Sequence, residues 1–244
     1  MQIRRSLLVL LVTVAACGDD GSSPGDGGPN DMSIVIDIDN GSCGDTVRLT
    51  GEYVDWFTEV SFCGINEAVF EVEGDGPMDS TAPNGRFDLC TPDQPGTRLN
   101  ITQPAGNSQC TVPPSDYTIP TILFARKDVI QAGAFYSVRS WTTAKQAEIF
   151  TASGTTFDGT KAQVHVHVDG NPRAVSIAAA HGTAQAIAMG GATWSAGSTG
   201  VDVFFPNVDV GSGQTMLTVT GSAVGAGNIP LVAGTLTNVT VLAL

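Results

Sequence analysis

Short segments of alternating apolar and polar residues run through the chain from residue 33 onward. In the first half they include SIVIDI (33–38), TVRLTGEYV (46–54), AVFEVEG (68–74) and RFDLC (86–90). A period of two residues is typical of strands that have one buried face. Turn signals such as Asn84-Gly85 separate the segments, so this half of the chain is predicted to form a β-sandwich.

The same pattern continues in the second half, with one exception. Strands are predicted at TILFA (121–125), AFYSVRS (134–140), AQVHVHVD (162–169), GVDVFFPNV (200–208) and NVTVLAL (238–244). Good helix formers follow a capping residue, Ser140 or Thr142, and predict one short helix near 142–150. The predicted fold class is all-β, with two tandem antiparallel β-sandwich domains and one short helix.

Charge changes near residues 112–122, where three prolines interrupt the chain. Residues 32–117 carry 14 acidic and 3 basic side chains, whereas residues 118–244 carry six of each. We therefore expect an acidic domain at 32–117 and a neutral domain at 118–244. The formal charge of −13 for the whole chain argues against nucleic acid as a partner, because binding to phosphates needs a basic face.

The first residues predict export. Arg4 and Arg5 precede the apolar run LLVLLVTVAA (7–16), which has the pattern of a signal peptide and is too short to span a membrane as a helix. The run ends in VAACG (14–18), which resembles the lipobox of bacterial lipoproteins. That resemblance implies a signal peptide at 1–16 and acylation of Cys17, which becomes the first mature residue. An ordinary secretory peptide with an incidental cysteine is the alternative.

A polar segment follows Cys17. Residues 18–31 contain only Gly, Asp, Ser, Pro and Asn, a composition that cannot build a core, so 17–31 is predicted to be a lipidated, disordered linker. Acyl chains on Cys17 would make the membrane a partner without a spanning helix. We expect the protein at the bacterial cell envelope, on the outer membrane or the cell surface.

Four further cysteines, Cys43, Cys63, Cys90 and Cys110, all lie in the acidic segment. An even number of cysteines in an exported protein predicts two disulfides, and four cysteines allow three pairings. The gaps between them lack the close C-x-x-C spacing of zinc sites. We expect disulfides, with 43–63 and 90–110 as the first guess at their pairing.

Two stretches share a turn, a strand and a following proline. NGRFDL (84–89) precedes Pro92, and TGVDVF (199–204) precedes Pro206. This pattern resembles the carboxypeptidase regulatory-like (transthyretin-like) β-sandwich, although Thr199 replaces the motif's asparagine in the second copy. The resemblance implies non-catalytic modules that display a partner or pack beside one.

The strongest candidate for chemistry is a histidine pair. His165 and His167 alternate on a predicted strand, so both imidazoles share one face about 6.6 Å apart, which is a familiar half-site for zinc or copper. Because the neighbouring valines are expected to face the core, both histidines should face solvent. His181 has the parity of the inner face. The pair is therefore either a solvated surface feature or a weak metal site.

Other candidate ligand sites are weaker. The acidic run from Asp37 to Asp45, with Asp75 and Asp79, could bind Ca²⁺ but lacks the spacing of an EF-hand. TWSAG (193–197) lacks the first glycine of a G-x-S-x-G motif. The expectation is therefore no resident cofactor, with Ca²⁺ or Zn²⁺ as the alternatives.

Aromatic residues suggest a binding surface. Trp56 and Phe57 lie at a predicted turn and Trp194 in a glycine-rich loop, where side chains either stack on sugar rings or fold back onto the core. The predicted function is a non-catalytic envelope lipoprotein that binds or displays a polysaccharide, a protein partner or a surface structure. The alternative is a metal-binding protein or a metal-dependent enzyme that uses His165 and His167.

Overall fold

A computed structural model describes residues 43–56, 63–74, 76–102, 116–190 and 193–244. The predicted signal peptide and linker, Cys17, Phe57 and Cys110 lie outside the described residues. No helix in the described part of the chain is long and apolar enough to cross a membrane.

The described residues form strands for the most part, with two short helices. The strands are β1 (Val47–Asp55), β2 (Val69–Val72), β3 (Gly76–Ser80), β4 (Arg86–Thr91), β5 (Gly96–Ile101), β6 (Thr121–Arg126), β7 (Tyr136–Ser140), β8 (Ala162–Asp169), β9 (Arg173–Ile177), β10 (Gln185–Ile187), β11 (Ser195–Ala196), β12 (Thr199–Gly200), β13 (Asp202–Val208), β14 (Gln214–Val219), β15 (Ala223–Val224), β16 (Gly227–Pro230) and β17 (Leu236–Ala243). The helices are α1 (Lys127–Gln131) and α2 (Thr143–Ala152).

One large sheet contacts two smaller ones. Its strand order is β11-β10-β13-β8-β17-β6-β5-β2-β3, with β15 beside β17. Adjacent residues of β6 point to opposite faces, and Leu123 packs in the same core cluster as Leu49 and Tyr136 of the sheet β4-β1-β7. Phe124 packs against the cluster formed with the sheet β12-β9-β14-β16. The predicted all-β, sandwich-like fold is confirmed.

The two predicted domains share sheets, which corrects the expected organisation. β5 pairs with β6 over six residues, and β1 pairs with β7, so strands from both sides of the expected boundary lie side by side. The described residues between 43 and 244 belong to one compact unit. The acidic and the neutral segment therefore share one sheet, in which β6 satisfies backbone hydrogen bonds of β5.

The sheets are mixed, whereas antiparallel sheets were predicted. β17 runs parallel to both β6 and β8, and β7 runs parallel to β1. Parallel strands of one sheet need a long crossover. The chain between β6 and β8, which lie on either side of β17, supplies one that contains both helices. Alternation of apolar and polar residues along a strand does not show whether the strand pairs parallel or antiparallel with its neighbour.

The predicted helix is present as α2, beginning after Thr142. The Thr142 hydroxyl accepts a hydrogen bond from the Lys145 amide at 3.2 Å, which is the expected N-cap. Helix α1 was not predicted. Its five residues are too few to display helical periodicity.

The cysteine pairing also differs from the first guess. Cys43 is bonded to Cys90, with their Cα atoms 5.4 Å apart. Cys63 is disulfide-bonded as well, and its partner lies outside the described residues. The first guess paired cysteines that are close in sequence. Instead, β1 pairs with β4 and places Val47 opposite Thr91. This pairing brings Cys43 and Cys90 together.

Replacing both Cys43 and Cys90 by serine should lower the free energy of unfolding by about 2–4 kcal/mol, because the bond closes a long loop in the unfolded chain. Urea denaturation measures the change. Non-reducing tryptic mapping provides the direct control: the peptide ending at Arg48 should be linked to the peptide 87–98. A peptide that joins Cys43 to Cys63 instead would contradict this pairing.

Candidate functional site

Strand register places the histidine pair beside two polar residues of neighbouring strands. In β8, His165 lies directly opposite Asn238 of β17, and His167 lies directly opposite Asp202 of β13. Both histidines contact the same carboxylate, which confirms that they share a face of the sheet. Cross-strand neighbours of this kind lie close enough for their side chains to interact.

Asp202 is the centre of the resulting hydrogen-bond network. Its Oδ1 lies 2.9 Å from Nε2 of His165 and 3.0 Å from Nδ1 of His167. Its Oδ2 accepts a hydrogen bond from Nη2 of Arg139 at 3.0 Å. Nδ1 of His165 lies 2.8 Å from Oδ1 of Asn238. We call these five residues the Asp202 network.

Arg139 comes from β7, in the sheet that packs over this face. Its backbone amide donates to Oδ1 of Asn238 at 2.9 Å, and Nδ2 of Asn238 donates back to its carbonyl oxygen at 3.1 Å. The Asn238 side chain thus pairs with the backbone of β7 as a neighbouring strand would. The Asp202 network therefore connects β7 with β8, β13 and β17.

The network is buried, and burial determines its electrostatics. His165 is fully buried, and the side chains of Asp202 and Arg139 are 5% and 9% exposed. Burial by itself would raise the pKa of Asp202, but the charge of Arg139 and the hydrogen bonds from both histidines outweigh it and hold that pKa well below its usual range. Asp202 is therefore a carboxylate at neutral pH.

Two effects oppose each other at His165. Burial lowers the pKa of His165, and the charge of Arg139 acts in the same direction. The hydrogen bond and charge of Asp202 raise the pKa, as does the hydrogen bond to Asn238. Burial is the largest of these effects, so the pKa of His165 lies below its ordinary value.

Aromatic rings cover the network. The ring of Trp56 lies 5.5 Å from that of His165 and stacks on Trp194 with centroids 4.8 Å apart and planes 11° from parallel. Trp141 and Phe204 meet Trp56 edge-on at 5.2 and 4.9 Å. The tryptophans thus exclude water from the carboxylate and the imidazole beneath them.

The structure corrects the expected exposure of the histidine pair, His165 and His167. His165 is fully buried, because β7 and Trp56 cover the face of β8 that was expected to meet solvent, and His167 keeps 17% of its side-chain exposure. Trp56 is 1% exposed, so its side chain belongs to the core and does not form an open ligand contact. Trp194 is half-buried and stacks on Trp56. His181 lies beyond the end of β9 and is exposed.

The histidines are arranged for hydrogen bonding to protein. Both ring nitrogens of His165, and Nδ1 of His167, face partner atoms at hydrogen-bond distance, so they are occupied as donors or acceptors. In the described ranges no group of three or more His, Cys, Asp or Glu residues could hold a metal ion. Of the proposed calcium ligands, Asp45 and Asp79 are described, and Asp37, Asp39 and Asp75 are not.

Three members of the network were missed in the sequence, although two carried a signal. Asp202 lies in an otherwise apolar strand, and Asn238 begins the apolar C-terminal strand segment. Charged residues are almost never fully buried unless they are paired, so an acid in such a strand indicates a partner. Arg139 could not be assigned as that partner, because its strand contacts β13 only in the folded chain.

Comparison with known proteins gives little. No protein-family model matches the sequence, and no curated protein matches it. Among solved structures, the chain is similar to the Bacillus anthracis TIE protein, with 13% identity and a TM-score of 0.26. The similarity covers 82% of this chain and 34% of that one, so this chain spans about a third of its length. A score this low carries no argument about family or function.

Asp202→Asn should destabilise the protein at pH 7 by roughly 3–5 kcal/mol, because it leaves the buried Arg139 guanidinium without an anion. The carboxylate's contribution is present above the unfolded-state pKa of about 3.9 and is lost as pH falls through the lower folded-state pKa. The difference between wild type and variant should therefore narrow below about pH 4. Urea denaturation from pH 7 to pH 3 measures it.

Asp209→Asn is the matched control, because Asp209 forms an exposed ion pair with Lys161 and should leave the unfolding midpoint nearly unchanged. Equal effects of the two substitutions at pH 7 would contradict a central role for Asp202.

Proposed function

We propose that this protein is an exported, lipid-anchored protein of the bacterial envelope, whose β-rich body binds or displays a partner and catalyses no reaction. Acyl chains on Cys17 would hold the chain at the membrane, and residues 18–31 would connect the anchor to the body. Carboxypeptidase regulatory-like sandwiches serve as the nearest analogy for such a body.

The observation that carries this proposal is the oxidised state of the described cysteines. Cys43 and Cys90 form one disulfide, and Cys63 belongs to another. Structural disulfides form and persist in oxidising compartments and are rare in the cytosol. This agrees with the signal-peptide pattern at 4–18, which is an independent feature of the sequence.

The Asp202 network supports a structural role for the histidine pair. A general base needs a nitrogen that can reach a substrate, and both nitrogens of His165 are engaged with protein atoms inside the core. We therefore assign His165 to the packing of the sheets, and the proposed function does not use it as a metal ligand.

A polysaccharide or an envelope protein is the proposed partner. Trp194 is the aromatic side chain best placed to contact it, because Trp194 is half-exposed and Trp56 supports its ring from below. An indole held rigidly in this way offers contact area at low entropic cost.

Expression of the full chain in a bacterium should yield a membrane-bound product whose N-terminal residue is acylated Cys17, with Cys43 oxidised. Intact-protein mass spectrometry and membrane fractionation check this. Cys17→Ser is the control and should leave an unacylated chain outside the membrane fraction. An unprocessed N-terminus, or cysteines that stay reduced in wild type, would refute the proposed location.

The binding role is tested by applying the protein without its lipid anchor to an array of bacterial polysaccharides. Trp194→Ala should reduce binding by roughly five- to thirtyfold, since loss of a stacking ring costs about 1–2 kcal/mol. Phe124→Ala is the control, because Phe124 is also half-buried but packs against the sheet β12-β9-β14-β16 rather than on Trp56. Absence of any bound polysaccharide would remove this class of partner.

A further inference from the structure

A groove lies between helix α2 and the loop that follows it. Its volume is about 360 Å³, which is within the range of ligand sites in proteins. The helix contributes residues spaced by three, four and five positions, so they lie on one side of it. The polar and aromatic side chains that line the groove most openly are Thr143, Gln146, Thr151, Thr155, Thr156 and Phe157. We call this concavity the α2 groove.

The residues described along the α2 groove carry no charge. They are threonine, glutamine, alanine and phenylalanine, in a chain whose formal charge is −13. The charged residues of α2, Lys145 and Glu148, lie outside the groove and form an ion pair with each other at 3.0 Å. A charged ligand would lose hydration in the groove and meet no opposite charge among these residues. The lining therefore favours an uncharged ligand.

Hydroxyl and amide groups of the α2 groove are open to a ligand. The side chains of Gln146, Thr151 and Thr156 make no hydrogen bond to any residue in the described ranges. Each hydroxyl both donates and accepts, and the amide donates from its nitrogen and accepts at its oxygen. Sugar hydroxyls have the same dual character, so the α2 groove offers them partners of either kind.

An aromatic ring forms one wall of the groove. Phe157 is half-buried, and its ring meets that of Phe150 edge-on, with centroids 5.3 Å apart and planes at 77°. Phe150 is 2% exposed and packs in turn on Trp141 and Phe204, each at 6.0 Å. The core thus supports the Phe157 ring from one side, and its exposed part offers an apolar surface to the C–H groups of a sugar ring.

The loop at the groove is fixed by one side chain of β13. Nδ2 of Asn207 donates to the carbonyl oxygen of Thr156 at 2.7 Å and to Oγ1 of Thr155 at 3.3 Å. Its Oδ1 accepts a hydrogen bond from the amide of Asp158 at 3.0 Å. Asn207 itself has a left-handed φ of 51°, and its amide donates to Oε1 of Gln163 at 2.7 Å. A site held in this way loses little freedom when a ligand binds.

We propose that the α2 groove binds one uncharged sugar residue of a polysaccharide. Phe157 lies against the C–H groups of the sugar ring, and Gln146, Thr151 and Thr156 exchange hydrogen bonds with its hydroxyls. The inference rests on the proposed function, in which a polysaccharide is a partner, and it adds a binding site to which Trp194 does not contribute. Because the lining is uncharged, the groove selects neutral sugars over uronic acids and amino sugars.

Titration of the ¹⁵N-labelled Cys17→Ser chain, which stays unacylated, tests the proposal by nuclear magnetic resonance. The neutral probes are glucose, galactose and N-acetylglucosamine, and at least one should shift the backbone amide signals of Thr155, Thr156 and Phe157. Glucuronate and glucosamine carry a charge and should bind roughly tenfold more weakly or worse, because that charge would be desolvated without a partner. Amide signals that stay in place with every neutral probe overturn the proposal.

Two variants measure the contribution of the groove to the affinity for the best neutral probe. Gln146→Leu should weaken binding by roughly two- to tenfold, as expected for one hydrogen bond, and Phe157→Ala by about fivefold or more. Gln131→Leu is the matched control, because Gln131 is exposed at the end of α1 and should leave the affinity unchanged. Wild-type affinity in both groove variants contradicts the proposed site.

Trp194→Ala separates this inference from the proposed function. It should leave binding of the neutral probe at the α2 groove unchanged, since Trp194 does not line the groove. Sugar-induced shifts confined to the indole N–H of Trp194 would overturn the groove and leave the polysaccharide partner standing. If no probe shifts any signal and the array retains no polysaccharide, the groove and this class of partner are both refuted.

Discussion

One buried carboxylate determines how the layers of this protein fit together. Asp202 of β13 accepts hydrogen bonds from Arg139 of β7 and both histidines of β8, so it binds side chains from two other strands. A charge this deep in the core is tolerated only with complete pairing. The small sheet containing β7 is therefore docked in one position, where Arg139 reaches the carboxylate and Asn238 pairs with the β7 backbone.

Local sequence patterns predicted the positions of strands and of one helix. They did not predict which distant segments come into contact. β8 was predicted at 162–169, where it is found, and α2 lies close to the predicted helix. The burial of His165 was missed because alternation identifies two faces of a strand but does not reveal that another sheet covers the second one. The Cys43–Cys90 bond was missed for the same reason, since it depends on the pairing of β1 with β4.

The shared sheets also show that the two predicted modules are not separate. A change of charge and cysteine content near the middle of the chain indicated two modules, yet β5 and β6 are neighbours in one sheet. The disulfide lies in the acidic half, and the Asp202 network joins β7, β8, β13 and β17, which all belong to the neutral half. A body stabilised in both ways suits the proposed display outside the cell.

A double-mutant cycle tests most directly whether the Asp202 network couples the sheets. Arg139→Met, Asp202→Asn and the double variant are compared with wild type by urea denaturation at pH 7. The account predicts a coupling of about 1–3 kcal/mol between the two residues, as expected for directly bonded partners in the core. Effects that add within about 0.5 kcal/mol would contradict it.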